Sequence, residues 1–173
     1  SEKILKGGVI ATHMSNLGLE NFFRKNHINF IRTKVGDRYV KEKMRDTSYN
    51  LGGEQSGHII LGDMATTGDG ILVSLEVLYI LKKYSQKPSR VLKVFESIPQ
   101  VLKNVKVKNQ KIINNKKVIK TIKEAEKNMF KIGRVLVRKS GTEPIIRVMG
   151  ESWNYMILKK NINNIVSIIK KYS

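Results

Sequence analysis

At 173 residues the chain is long enough to bury a core as one large domain or two small ones, and no apolar run is long enough to cross a bilayer. The absence of cysteine excludes disulfides and thiolate metal sites, and the three histidines, His13, His27 and His58, are too scattered for a metal triad. A formal net charge of +19, from 33 Lys and Arg against 14 Asp and Glu, raises the question of an anionic partner; yet the excess is scattered lysine, Trp153 is the only tryptophan, no nucleic-acid motif accompanies it, and solvated helix faces explain it better than a nucleic-acid groove.

In chain order, GVIAT at 8–12 reads as a short buried strand, 15–26 as a helix opened by Ser or Asn, and NFIRT at 29–33 as a second strand. A helix over 40–44 follows a Gly36-Asp37 turn, and Ile59-Ile60-Leu61 is a third strand after a glycine-rich loop. This alternation predicts an α/β unit with a mainly parallel sheet. A helix then runs from Thr67 to about Tyr84, with Ile71, Leu72, Leu75, Leu78, Tyr79 and Leu81 spaced to bury one face. Its start, ATTGDG at 65–70, has the polar composition of an N-cap. Gln86-Lys87-Pro88-Ser89 ends it, a short helical stretch covers 90–96, and Pro99 marks a break, which divides the chain into 1–96 and 97–173. The second unit reads as strand 101–107, helix 115–129, strand 134–138, a turn, strand 145–151 and helix 155–172, an antiparallel α+β arrangement.

Two constellations carry chemistry. Arg138, Lys139, Ser140, Gly141, Thr142, Glu143, Pro144 and Arg147 put guanidiniums, hydroxyls and a glycine on one turn between apolar strands. Arginine offers a planar fork of donors for phosphate oxygens, and hydroxyls and backbone N–H groups can close a concave anion site. The second, Leu51-Gly52-Gly53-Glu54-Gln55-Ser56-Gly57-His58, sets a carboxylate, an amide, a hydroxyl and an imidazole among glycines, a set suited to a polyol. Upstream, Lys34-Val35-Gly36-Asp37-Arg38 adds charge on a turn before a helix.

Five motifs in order, MSNLGLE (14–20), VGDRYV (35–40), GGEQSGH (52–58), ATTGDG (65–70) and RKSGTEPIIRVMGE (138–151), make the chain resemble the α-D-phosphohexomutases over essentially its whole length. Within them it resembles the branch that interconverts glucosamine 6-phosphate and glucosamine 1-phosphate. The resemblance implies that 1–96 is similar to the family's third domain without its beginning, and 97–173 to its fourth, which closes over the substrate. It implies a phosphoserine enzyme, a bisphosphate intermediate and a bound Mg2+ ion, on the cytoplasmic route to UDP-N-acetylglucosamine and peptidoglycan. By the same resemblance Glu54 and Ser56, with His58 close by, hold sugar hydroxyls. Arg138, Ser140, Gly141, Thr142 and Arg147 grip the phosphate that is not reacting. Lys34, Arg38 and His58 are candidates for proton transfer.

The family's serine nucleophile and aspartate-glycine-aspartate metal loop are not found, and Asp69 is a lone acid. The chain is therefore expected to hold no metal itself and to be inactive alone. Its expected partners are a hexosamine phosphate and the mutase's N-terminal domains, with neither nucleic acid nor membrane. The alternatives are a stand-alone sugar-phosphate-binding module, or a phosphoglucomutase or phosphomannomutase.

Overall fold

The computed structural model describes residues 5–85 and 87–173. Residues 1–4, read from sequence as starting inside a domain, and Gln86, read as a helix stop, lie outside the described residues. Two compact units, 1–97 and 98–173, are distinguished by their internal contacts.

The first unit is built on a four-stranded sheet in the order β2-β1-β3-β4, where β1 is Gly8–Thr12, β2 Asn29–Thr33, β3 Leu51–Gly53 and β4 Ile59–Leu61. β1 lies parallel to both β2 and β3, and β4 returns antiparallel to β3. β1 is buried along its whole length, which suits a near-continuous apolar strand in the middle of a parallel sheet. Strand β3 falls where the sequence predicted only a glycine-rich loop. Its glycine is a packing requirement: a Cβ on Gly52 would come 2.5 Å from Met44 Sδ and 2.6 Å from Val40 Cγ1. Helix α2, Asp37–Thr47, thus lies directly on the strand, and Val40 and Met44 join Ile10 and Ile60 in the first core.

Helix α1, Leu17–Lys25, starts where the Asn16 side chain accepts the Gly18 N–H at 2.8 Å. Helix α3, Gly70–Tyr84, begins three residues later than the sequence suggested, because Asp69 accepts the N–H groups of Ile71 and Leu72 at 3.0 Å each. A larger correction concerns its packing. The spacing predicted one buried face, yet none of its residues is buried, and Ile71 is 77% exposed. Within its unit α3 packs on β4, a short edge strand, so little sheet lies beneath it. The helical stretch expected at 90–96 is a single turn, α4, Pro88–Val91, opened by proline at its first position.

In the second unit β5 (Gln100–Lys106), β7 (Ile145–Ser152) and β6 (Gly133–Lys139) form an antiparallel sheet in that order. Helices α5, Lys116–Asn128, and α6, Tyr155–Tyr172, bury Val118, Ala125, Leu158, Ile162, Ile165 and Ile169 against Val105, Ile146 and Val148. A 3₁₀ turn at Gln110–Asn114, absent from the sequence reading, joins β5 to α5. Asn154 caps α6 by accepting the Ile157 N–H at 3.0 Å. Asn154→Ala is expected to lower the stability of this unit by about 1 kcal/mol, read from urea denaturation. Among the described residues no helix is long and apolar enough to cross a membrane.

Candidate functional site

The 138–147 segment is a hairpin between β6 and β7. In the register Arg138 stands directly opposite Arg147, and alternation places both on the sheet face turned away from Ile146, Val148 and the helices. Two like charges opposite each other oppose pairing, and burial adds to the penalty. Desolvation, and secondly the charge of Arg147, lower the pKa of Arg138. The Nε of each arginine is buried and has no hydrogen-bond partner. The nearest carboxylate oxygen on Glu143 is 3.6 Å from Arg147 Nη2, a long and partly exposed pairing. An anion between the forks would answer both defects, supplying acceptors and cancelling the repulsion.

The tip of the turn is open. Ser140 is buried and its N–H bonds Ile145 O at 3.0 Å, whereas Gly141 and Thr142 are exposed. A Cβ on Gly141 would meet nothing within 4 Å. Gln110 from the 3₁₀ turn fixes the shape: its Nε2 donates to the carbonyls of Ser140 at 2.9 Å, Glu143 at 2.8 Å and Ile145 at 3.2 Å. Sequence reasoning missed Gln110, since a lone glutamine thirty residues before the turn carries no local signal.

In the first unit the 54–58 turn closes through Glu54 N–H to His58 O at 2.8 Å and Gly57 N–H to Glu54 O at 3.1 Å, with Gly57 at φ 99°, a conformation open to glycine. Ser56 Oγ donates to Glu54 Oε2 at 3.2 Å and lies 3.2 Å from His58 Nδ1. The carboxylate also accepts the Gly36 N–H at 2.6 Å, just ahead of α2, where the helix dipole favours negative charge. The structure therefore brings Glu54, Ser56 and His58 together and ties them to the 34–38 turn. Lys34 Nζ sits 5.6 Å from the Tyr39 ring centre, and Arg38 Nε donates to Glu42 at 2.8 Å. The hydrogen bond to Glu42, and secondly that residue's charge, raise the Arg38 pKa.

Among the described residues no three His, Asp or Glu side chains converge, so they do not fit a Mg2+ site. Asp69 has a structural use, its carboxylate being occupied by the helix cap.

The family model described as phosphoglucomutase/phosphomannomutase, alpha/beta/alpha domain III, matches residues 1–98, and that of the phosphoglucomutase/phosphomannomutase C-terminal domain matches 102–161. The chain belongs to the phosphoglucomutase/phosphomannomutase family. The chain is 54% identical over 169 residues to phosphoglucosamine mutase of Pelagibacter ubique, covering 98% of the chain and 38% of that protein. It is 46% identical to phosphoglucosamine mutase of Brucella anthropi, with the same coverage. It thus spans well under half the length of these curated relatives and corresponds to their C-terminal part. Among solved structures it is similar to Aspergillus fumigatus N-acetylphosphoglucosamine mutase, with a TM-score of 0.83 at 20% identity, covering 97% of this chain and 39% of that one. A second structure of that enzyme, in complex with GlcNAc-6P and magnesium, matches with a TM-score of 0.79 at 19% identity over 95% of this chain and 42% of that one. At such identities the structural likeness speaks for the phosphohexomutase fold.

Proposed function

We propose that this chain is the substrate-gripping C-terminal part of a phosphoglucosamine mutase, which interconverts glucosamine 6-phosphate and glucosamine 1-phosphate in the cytoplasm on the route to UDP-N-acetylglucosamine. The observation that carries the reading is the pair of cross-strand arginines whose buried Nε groups lack acceptors. Arg138 and Arg147 grip the phosphate that is not reacting, with Ser140, Gly141 and Thr142 around it. Glu54 and Ser56 read sugar hydroxyls, with His58 hydrogen-bonded behind Ser56. Because the clamp recognises phosphate rather than sugar, it serves either end of a bisphosphate that turns round between two phosphoryl transfers. The energy of that distant grip is then available to position the reacting oxygen.

The nucleophile and the metal ligands belong, in this reading, to the part of the mutase outside this chain, as the 38% coverage of the relatives allows. The isolated chain is accordingly inactive but binds hexosamine phosphates. A coupled assay should detect no turnover by the chain alone, and calorimetry should show glucosamine 6-phosphate bound more tightly than glucosamine. Turnover by the isolated chain would overturn the assignment of chemistry to the missing part. Equal affinity for the phosphorylated and unphosphorylated sugar would overturn the clamp.

A further inference from the structure

In the 140–145 turn most backbone acceptors are committed and several backbone donors are not. Gln110, half-buried at the start of the 3₁₀ turn, donates from Nε2 to the carbonyls of Ser140, Glu143 and Ile145. Just past β5, the Val107 N–H donates to Pro144 O at 3.0 Å. Two of the same carbonyls also close the turn on itself, Glu143 O accepting the Ile145 N–H at 2.8 Å and Ile145 O the Ser140 N–H at 3.0 Å. Among the described residues, the N–H groups of Gly141, Thr142 and Glu143 donate to nothing.

Carbonyl oxygens repel an anion and N–H groups attract it, so a phosphate turn has to engage the first and leave the second free. A residue that gathers the carbonyls does this sorting without meeting the ligand. Gln110 has the chemistry for it: a primary amide carries two N–H protons on a neutral group, and three carbonyls on Nε2 dictate which end of the carboxamide faces the turn. A carboxylate at the same place would offer only acceptors and would meet those carbonyls with repulsion. The 3₁₀ turn is itself capped, Asn109 Oδ1 accepting the Lys111 N–H at 2.8 Å. Gln110 thus braces the β6–β7 hairpin from an element outside it.

We propose that Gln110 is a positioning residue of the phosphate site: by drawing the carbonyls of Ser140, Glu143 and Ile145 onto its amide, it leaves Gly141 and Thr142 as a donor-rich lip and strengthens phosphate binding without touching the phosphate. The inference rests on the reading of 138–147 as a phosphate clamp, and it gives a part in that clamp to a residue from outside the hairpin. A glutamine kept only for folding would change the stability of the unit. It would leave the phosphate affinity of the folded protein as it was.

The test titrates the 173-residue chain and two neutral variants with inorganic phosphate by calorimetry, with urea denaturation of each. Gln110→Met keeps the length and loses both donors, and is expected to bind phosphate about tenfold more weakly while folded. Gln110→Asn keeps the carboxamide one methylene short and should fall between the two. Phosphate affinity of folded Gln110→Met within about twofold of the parent overturns the proposal, whatever happens to its urea midpoint. Should that variant fail to fold, the parent chain decides: on phosphate addition the amide protons of Gly141 and Thr142 should shift downfield in NMR spectra while the Gln110 side-chain protons stay in place. A chain that binds phosphate without shifting those amides overturns the proposal and leaves the clamp standing. A parent chain that binds no phosphate overturns both.

Discussion

Arg147→Ala is expected to weaken glucosamine 6-phosphate binding by one to two orders of magnitude, because a charge-assisted hydrogen bond contributes about 1.5–3 kcal/mol and about 1.4 kcal/mol is tenfold in affinity. Arg147→Lys should recover only part of the loss, since an ammonium cannot present two parallel donors to one phosphate. The diagnostic signature lies in stability. Arg147→Gln removes one of two like charges facing each other across β6 and β7, and forfeits only the long pairing with Glu143. That variant should bind poorly yet unfold at slightly higher urea, by up to roughly 1 kcal/mol. An arginine kept for structure would lose stability when replaced, so calorimetry and denaturation on the same variants decide between the roles. Inorganic phosphate is a sufficient first probe, and its binding should raise the depressed pKa of Arg138 by supplying the missing counter-charge.

Most of the second unit was legible because its periodicities are long and regular. The α6 span matches its prediction to the residue, since Leu158, Ile162, Ile165 and Ile169 form an unbroken stripe that the sheet fully buries. The first unit was less legible where neighbours decide the structure. Leu51-Gly52-Gly53 lacks any strand signal of its own, and it is a strand because β1 and β4 pair with it while α2 excludes a side chain at Gly52. For α3 the pattern was read correctly as apolar, but one face was expected to be buried. Periodicity shows which residues share a face and cannot show whether anything lies beneath it.

The candidate site divides along the same line. Arg138 and Arg147 flank the turn symmetrically, so a hairpin centred on it pairs them, and their donors were visible from residue type. Invisible were the groups that hold the loops: Gln110, arriving from thirty residues away, and the Gly36 N–H, which takes one oxygen of Glu54. These contacts join segments remote in sequence, and no local spacing encodes them. The carboxylate expected to read sugar hydroxyls is therefore also a brace between two loops, so its replacement should disturb the 34–38 turn as well as sugar affinity.

Glu151→Ala is expected to cost the second unit about 3–5 kcal/mol. Glu151 is fully buried on the central strand, where Arg134 Nε donates to Oε2 at 2.6 Å from one flank and Gln100 Nε2 to Oε1 at 2.7 Å from the other. The register makes Gln100 and Arg134 its direct neighbours on β5 and β6, so this one carboxylate links all three strands. Removing it leaves a half-buried guanidinium and a carboxamide short of an acceptor, with nothing apolar gained in exchange. Small domains have about 5–15 kcal/mol in total, so the variant should unfold at markedly lower urea, and the Arg138–Arg147 frame should soften with it. Glu151→Gln keeps the shape and one acceptor, and should cost less. A cycle with Arg134→Leu separates the pair from its parts: if the charge is needed only to match Arg134, then Glu151→Met combined with Arg134→Leu should recover most of the loss. Failure to recover would assign the stabilisation to the three-strand linkage itself, and a loss below about 1 kcal/mol for Glu151→Ala would show that the buried carboxylate contributes little to holding the sheet together.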